Sequence, residues 1–129
     1  MKRGIVMKGM FVADWAWKPY AYLLAIGLKT IETRNKDMLS ALVGERVAVI
    51  STRKGRQPIV VGYVTVTGKS FCKAEDFRKY DNQHLVPEGS KFDVHGKGKW
   101  FYHVADAETC DPYFLPTSAI RHGRSWCEF

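Results

Sequence analysis

Apolar and polar positions alternate with period two along much of this chain and adopt a helical period in two short stretches. Gly4–Val12 predicts a first strand, its apolar side chains supplied by Ile5, Val6, Met10, Phe11 and Val12. From Pro19 the spacing changes. Tyr20, Leu23 and Leu24 fall at i, i+3 and i+4, and Ala21, Leu24 and Leu28 run beside them, predicting a short amphipathic helix. Pro19 suits its first turn, and Gly27 suits its end. Period two returns at Thr30, Ile31 and Thr33, so a strand begins there.

Asp37–Val43 is open between a helical turn and a loop. Glu45–Thr52 predicts a central strand, because Val47 and Val49 alternate with Ala48 and Ile50 and leave neither face polar. Ile59–Thr67 is the strongest β run, and Gly62 inside it predicts a bulge or bend. Ala74–Tyr80 predicts a short helix, and polar, glycine-rich Gln83–Gly98 a long connection. Trp100–Ala105 predicts a strand with Trp100, Tyr102 and Val104 on one face and Phe101 and His103 on the other. Beyond Asp111-Pro112 no period stands out. The pattern alone reaches one α+β, mostly β, domain over residues 1–129; its several short strands, short helices and bent turns are compatible with a small β-barrel with short flanking helices.

One stretch carries candidate chemistry. In the strand after Gly27, Ile31 points one way while Thr30, Glu32 and Arg34 point the other, and Lys29 sits at the turn within reach of Glu32. Such a trio is often no more than an exposed ion pair. Gly27-x-Lys29-x-x-Glu32-x-Arg34, however, resembles the signature of the ASCH domain, a PUA-like β-barrel family. The preceding Lys18-Pro19-Tyr20-Ala21-x-Leu23-Leu24 is similar to the helix that leads into that signature. Trp100–Pro116 and Gly123-Arg124-Ser125-Trp126 are similar, more loosely, to the family's C-terminal part. The resemblance covers most of the chain and implies a PUA-like fold.

Charge narrows the partner class. Twenty Lys and Arg against thirteen Asp and Glu give +7, which suits a polyanion such as nucleic acid and also suits plain solubility. Cys72, Cys110 and Cys127 are odd in number and form no CxxC pair, so they predict reduced thiols and a cytoplasmic protein. His103, Cys110, His122 and Cys127 match no zinc spacing, so no metal or cofactor is expected. No apolar run is long enough for a membrane span.

A lysine, a carboxylate and a guanidinium beside aromatic side chains suit a planar, hydrogen-bonding ligand. Glu32 can accept from an exocyclic amine, and Arg34 and Lys29 can hold a phosphate or carbonyl oxygen. Trp15, Trp17, Tyr20 or Trp126 could stack on a base. The expected ligand-binding set is Lys29, Glu32, Arg34, Trp17 and Tyr20, with RNA or a nucleotide- or nucleoside-like ligand as partner. Arg53, Lys54 and Arg56, with Lys97 and Lys99, would flank the cleft and track a phosphate backbone.

The resemblance also implies an alternative, an amidohydrolase acting on N4-acylated cytidine, or a ribonuclease. Lys29 and Glu32 would then be catalytic, Lys29 being kept partly neutral by desolvation, with Glu75 or Asp76 as a downstream acid. The hydrolytic relatives carry threonine where this chain has Glu32, and a neighbouring carboxylate favours the charged ammonium. A protein-interaction domain has only surface charge in its favour.

Overall fold

The apolar alternation gathers into one sheet with short helical pieces against it. The structure, a computed structural model, describes residues 6–15 and 18–129. In chain order these form β1 (Lys8–Ala13), α1 (Tyr20–Ala25), β2 (Ile31–Arg34), β3 (Arg46–Arg53), β4 (Arg56–Lys73), α2 (Asp81–His84), β5 (Gly98–Phe114), β6 (Ile120–His122) and β7 (Trp126–Glu128), with 3₁₀ turns at Ser40–Leu42 and Ala74–Tyr80. The strand order is β2-β5-β4-β3-β1-β7-β6. β1 and β3 pair parallel, and the other ladders are antiparallel.

β3 is central, as its two apolar faces predict. Val47 and Val49 join Met10, Leu24, Val64 and Tyr102 in one core cluster, while Ala48 and Ile50 join Phe11, Val60 and Cys127 in another. Gly62 lies at a slip in the ladder: Val49 faces Gly62 and Ile50 faces Val60, leaving Val61 in excess. A Cβ on Gly62 would lie 2.2 Å from the Glu108 carbonyl oxygen and 2.7 Å from the Ala25 Cβ. The missing side chain is what lets α1 settle onto the β4–β5 ladder.

Several expectations give way. The sheet does not close into a barrel; its order runs from β2 at one end to β6 at the other. Long β4 and β5 slip register at three places and curl, which brings β2 back towards β1. There a side chain spans the seam: Arg34 Nη2 donates to the Phe11 carbonyl at 2.6 Å. β4 runs on past Thr67 to Lys73, and β5 runs through Asp111-Pro112 to Phe114. The Ala74–Tyr80 piece is a 3₁₀ turn. Leu28 leaves the apolar face of α1 and is exposed, because the chain turns at Gly27, which has φ +83°. Trp17 and the start of the predicted first strand, Gly4 and Ile5, lie outside the described residues.

Candidate functional site

The seam between β1 and β2 is a cleft of about 370 Å³. Phe11, Val12 and Ala13 form one wall, and Glu32, Thr33, Arg34 and Asn35 the other. Local sequence fixes this wall. α1 is capped from a distance by Asp14, whose Oδ1 accepts the Ala21 N–H at 2.8 Å and whose Oδ2 accepts the Ser51 hydroxyl at 2.5 Å. The turn at Gly27 then delivers Lys29 inward, and alternation along β2 does the rest. Ile31 packs with Phe77, Val86 and Phe101 in a third core cluster, while Glu32 and Arg34 face the seam.

Lys29 is 1 % exposed, and its ammonium donates to the His84 carbonyl at the end of α2. It also lies 3.6 Å from Glu32 Oε1 and 5.2 Å from the centre of the Tyr20 ring. Glu32, 7 % exposed, accepts from Arg34 through Oε2, at 3.2 Å from Nε and 2.9 Å from Nη2. Burial pushes Lys29 down to about 8, and the Glu32 charge opposes it only in part. Burial pushes Glu32 the other way, but the charges of Arg34 and Lys29 win and hold its carboxyl below the usual range. Burial and the Glu32 charge raise Tyr20 to about 12.

His84, itself buried, frames this corner. Its Nδ1 accepts the Val86 N–H at 2.9 Å, so its Nε2 carries the proton and donates to the Phe77 carbonyl at 3.0 Å. Burial lowers its pKa, which keeps the ring neutral. The ring stacks on Phe77 at 4.1 Å. His84 is therefore a brace for the carbonyl that receives Lys29.

Of the residues singled out from sequence, Lys29, Glu32, Arg34 and Tyr20 all line the cleft. Trp15 is half-buried and meets Phe92 edge-on at 5.8 Å, and Trp126 stacks on His122 at 3.9 Å; neither lines the cleft. Arg53, Lys54 and Arg56 lie exposed at the β3–β4 hairpin, beside Thr52, which does line it. Arg56 donates to the Ser51 hydroxyl at 2.5 Å. Lys97 is exposed. Lys99 does not lie out on the rim with them: it is 2 % exposed and opens into the cleft itself. Two residues before buried Phe101 on β5, Lys99 takes the same inward side of the strand and lies under the segment carrying Phe92. Glu75 and Asp76 sit on the 3₁₀ turn after β4, away from the cleft lining, and Asp76 Oδ1 is paired with Lys79 at 2.7 Å.

Phe92, Val86 and Arg124 are cleft residues that sequence reasoning missed. Phe92 meets the Tyr20 ring edge-on at 5.7 Å, and its only sequence signal is an aromatic isolated in a polar connection. Among the described residues no group of three or more His, Cys, Asp or Glu side chains is placed to hold a metal ion. No helix among them is long and apolar enough to cross a membrane.

The architecture matches crystal structures of the ASCH protein from Zymomonas mobilis. The TM-score is 0.66 at 17 % identity, over 83 % of this chain and 73 % of that one. Two single-residue mutants of that protein match with TM-scores of 0.65 and 0.64 at 18 % and 20 % identity, over 83 % of this chain and 76 % and 74 % of theirs. No family model matches the sequence, and no curated protein matches it. The chain has the fold of that ASCH protein, a mostly β architecture with short helices. The ASCH fold that the resemblance implies is thus the fold found, without the closed barrel.

Proposed function

We propose that the cleft between β1 and β2 binds RNA or a nucleotide- or nucleoside-like ligand, with Lys29, Glu32 and Arg34 as its polar contacts. One observation carries this reading: a buried carboxylate, locked between two cations, faces a cavity of base-accommodating size beside the Tyr20 and Phe92 rings. Arg34 occupies Oε2, while Oε1 lies 3.6 Å from the Lys29 ammonium and keeps lone pairs for a ligand N–H. A fixed acceptor of this kind reads an exocyclic amine. The exposed Arg53 and Lys54 at the neighbouring hairpin would meet the backbone of a longer strand.

The test is Glu32→Gln, which keeps the shape and replaces a pure acceptor with a mixed donor and acceptor. Affinity for the preferred base should fall by about 1–3 kcal/mol, and for the others by much less, in titrations against the four nucleosides and short single-stranded RNAs. Equal losses for every base would remove Glu32 as a base reader.

A second reading, hydrolysis of N4-acylated cytidine, is favoured by one feature. Burial holds Lys29 at about 8, so a sizeable fraction is neutral at mildly alkaline pH and able to act as base or nucleophile. Against it, neither Glu75 nor Asp76 reaches the cleft lining. Turnover of N4-acetylcytidine that disappears in Lys29→Ala would establish this reading; absence of product from the wild type would end it.

A further inference from the structure

The cleft is over-supplied with positive charge. Lys29, Arg34, Lys99 and Arg124 line it, and Glu32 is the one carboxylate among its lining residues. Glu32 is already committed to Arg34 and Lys29. Lys99 is the cation left over. Its ammonium is buried, and the one hydrogen bond it makes among the described residues is to the Phe92 carbonyl at 2.8 Å. An ammonium carries three donors, so two of them are not taken up by the described residues, at a position that lines the cleft. Two buried ammonium groups facing one cavity are costly unless an anion joins them.

We propose that the ligand is phosphorylated, and that Lys99 together with Lys29 holds its phosphate, leaving Glu32 to the base. This rests on the base-binding reading and specifies the ligand class: a nucleotide phosphate, either the terminal group of a mononucleotide or a backbone phosphate of RNA. Arg124, exposed at the mouth of the cleft, offers a further cation on the way in.

Protonation supplies a signature that a merely structural lysine lacks. Lys29 is faced by Glu32 and Arg34 from β2, by the Tyr20 ring from α1, by the His84 carbonyl from α2 and by Lys99 from β5. Lys99 is faced by Glu32, Arg34 and Asp93. Burial lowers both lysines. A bound phosphate favours their charged forms, so binding must draw in protons as the pH passes about 8.

The experiment is calorimetric titration with the four nucleosides, their 5′-monophosphates, dinucleoside monophosphates and inorganic phosphate, repeated at pH 8.5 in buffers of different ionisation enthalpy. The 5′-monophosphates or the dinucleoside monophosphates should bind at least about tenfold tighter than the nucleosides, with proton uptake that the nucleosides do not show. A preference confined to monophosphates identifies a mononucleotide; an equal gain from dinucleoside monophosphates identifies an RNA backbone. Lys99→Met should erase the phosphate preference and leave nucleoside affinity in place, and Lys99→Gln should act likewise. The proton uptake reads the same point in the wild type, whether or not these variants fold. Equal affinity for nucleosides and nucleotides, or a preference that survives both Lys99 variants, overturns the phosphate subsite and spares the base-binding reading. Binding of inorganic phosphate without any nucleoside or nucleotide supports the subsite and overturns the base. Absence of binding by every probe overturns both.

Discussion

Two lysine–carboxylate pairs lie near each other in this fold and behave differently. Lys29 and Glu32 stand 3.6 Å apart in the cleft, both buried; Lys69 and Asp37 stand 2.6 Å apart just beyond β2, both partly open to solvent. Tyr102 links the two regions, since it lies opposite Glu32 in the β2–β5 ladder and donates its hydroxyl to Asp37 at 2.6 Å. In the open pair the hydrogen bonds from Lys69 and Tyr102 draw Asp37 down to about 2. In the buried pair desolvation dominates and takes the lysine down to about 8, although a carboxylate is its neighbour. The shorter contact is therefore the plain structural one. Burial, more than distance, decides which pair holds unspent electrostatic energy that a ligand could use.

The largest effect should come from breaking the buried pair. Glu32→Gln leaves Lys29, Arg34 and Lys99 facing one another without a counter-charge, and loss of one partner of a buried pair costs about 3–5 kcal/mol. Chemical denaturation should show a loss of that order, and adding Lys29→Met to Glu32→Gln should recover part of it, because it removes one of the stranded charges. A loss below about 1 kcal/mol would mean that the buried pair behaves like a surface one.

A medium effect should appear on the alkaline side. Lys29 has a folded pKa of about 8 against an ordinary 10.5, so the folded state binds fewer protons between those values and stability rises with pH across that window. The linkage amounts to about 2 kcal/mol between pH 7.5 and 9.5. Lys99 adds in the same direction. Cys127, raised to about 11 by burial, works against it, and so above pH 10 do Tyr20 and Tyr102, both raised to about 12. The clean observable is the difference between wild type and Lys29→Met: the wild type should gain on the variant by that amount over the interval. A constant difference would mean that Lys29 keeps an ordinary pKa.

The same comparison separates what the sequence displays from what it hides. The relative placement of Lys29, Glu32 and Arg34 follows from a helix end at Gly27 and strict alternation, both local properties. Central β3 and the bulge at Gly62 are legible for the same reason. The ends of β4 and β5 are not. Gly68, Lys69 and Ser70 lie beyond the β run Ile59–Thr67 read from the sequence, yet they pair with His103, Tyr102 and Phe101, so the length of the strand is set by its partner. Pro112 looks like a strand end, yet it falls where the β4–β5 register slips and no amide N–H is required. Barrel closure depends on how far this curl carries β2, which no local pattern records. Lys99, Phe92 and Arg124 reach the cleft through tertiary placement of a strand end and two connections, so local pattern does not assign them to its lining.

The smallest effect belongs to the open pair. Asp37→Asn keeps the shape and an acceptor for Tyr102, and it gives up an ion pair with Lys69 that water and salt already screen. The cost at neutral pH should stay below about 1 kcal/mol. The carboxyl has a folded pKa of about 2 against an ordinary 3.8, so its stabilisation is complete above pH 4 and disappears as the pH falls through 2. Wild type and Asp37→Asn should therefore converge in stability between pH 4 and pH 2, and at neutral pH their small difference should shrink further in high salt. Because Asp37 also accepts from Ser40 at 2.8 Å, the variant reports on how firmly the residues after β2 are pinned. A loss as large as that of Glu32→Gln would show that this loop, and not the buried pair, holds the wall of the cleft in place.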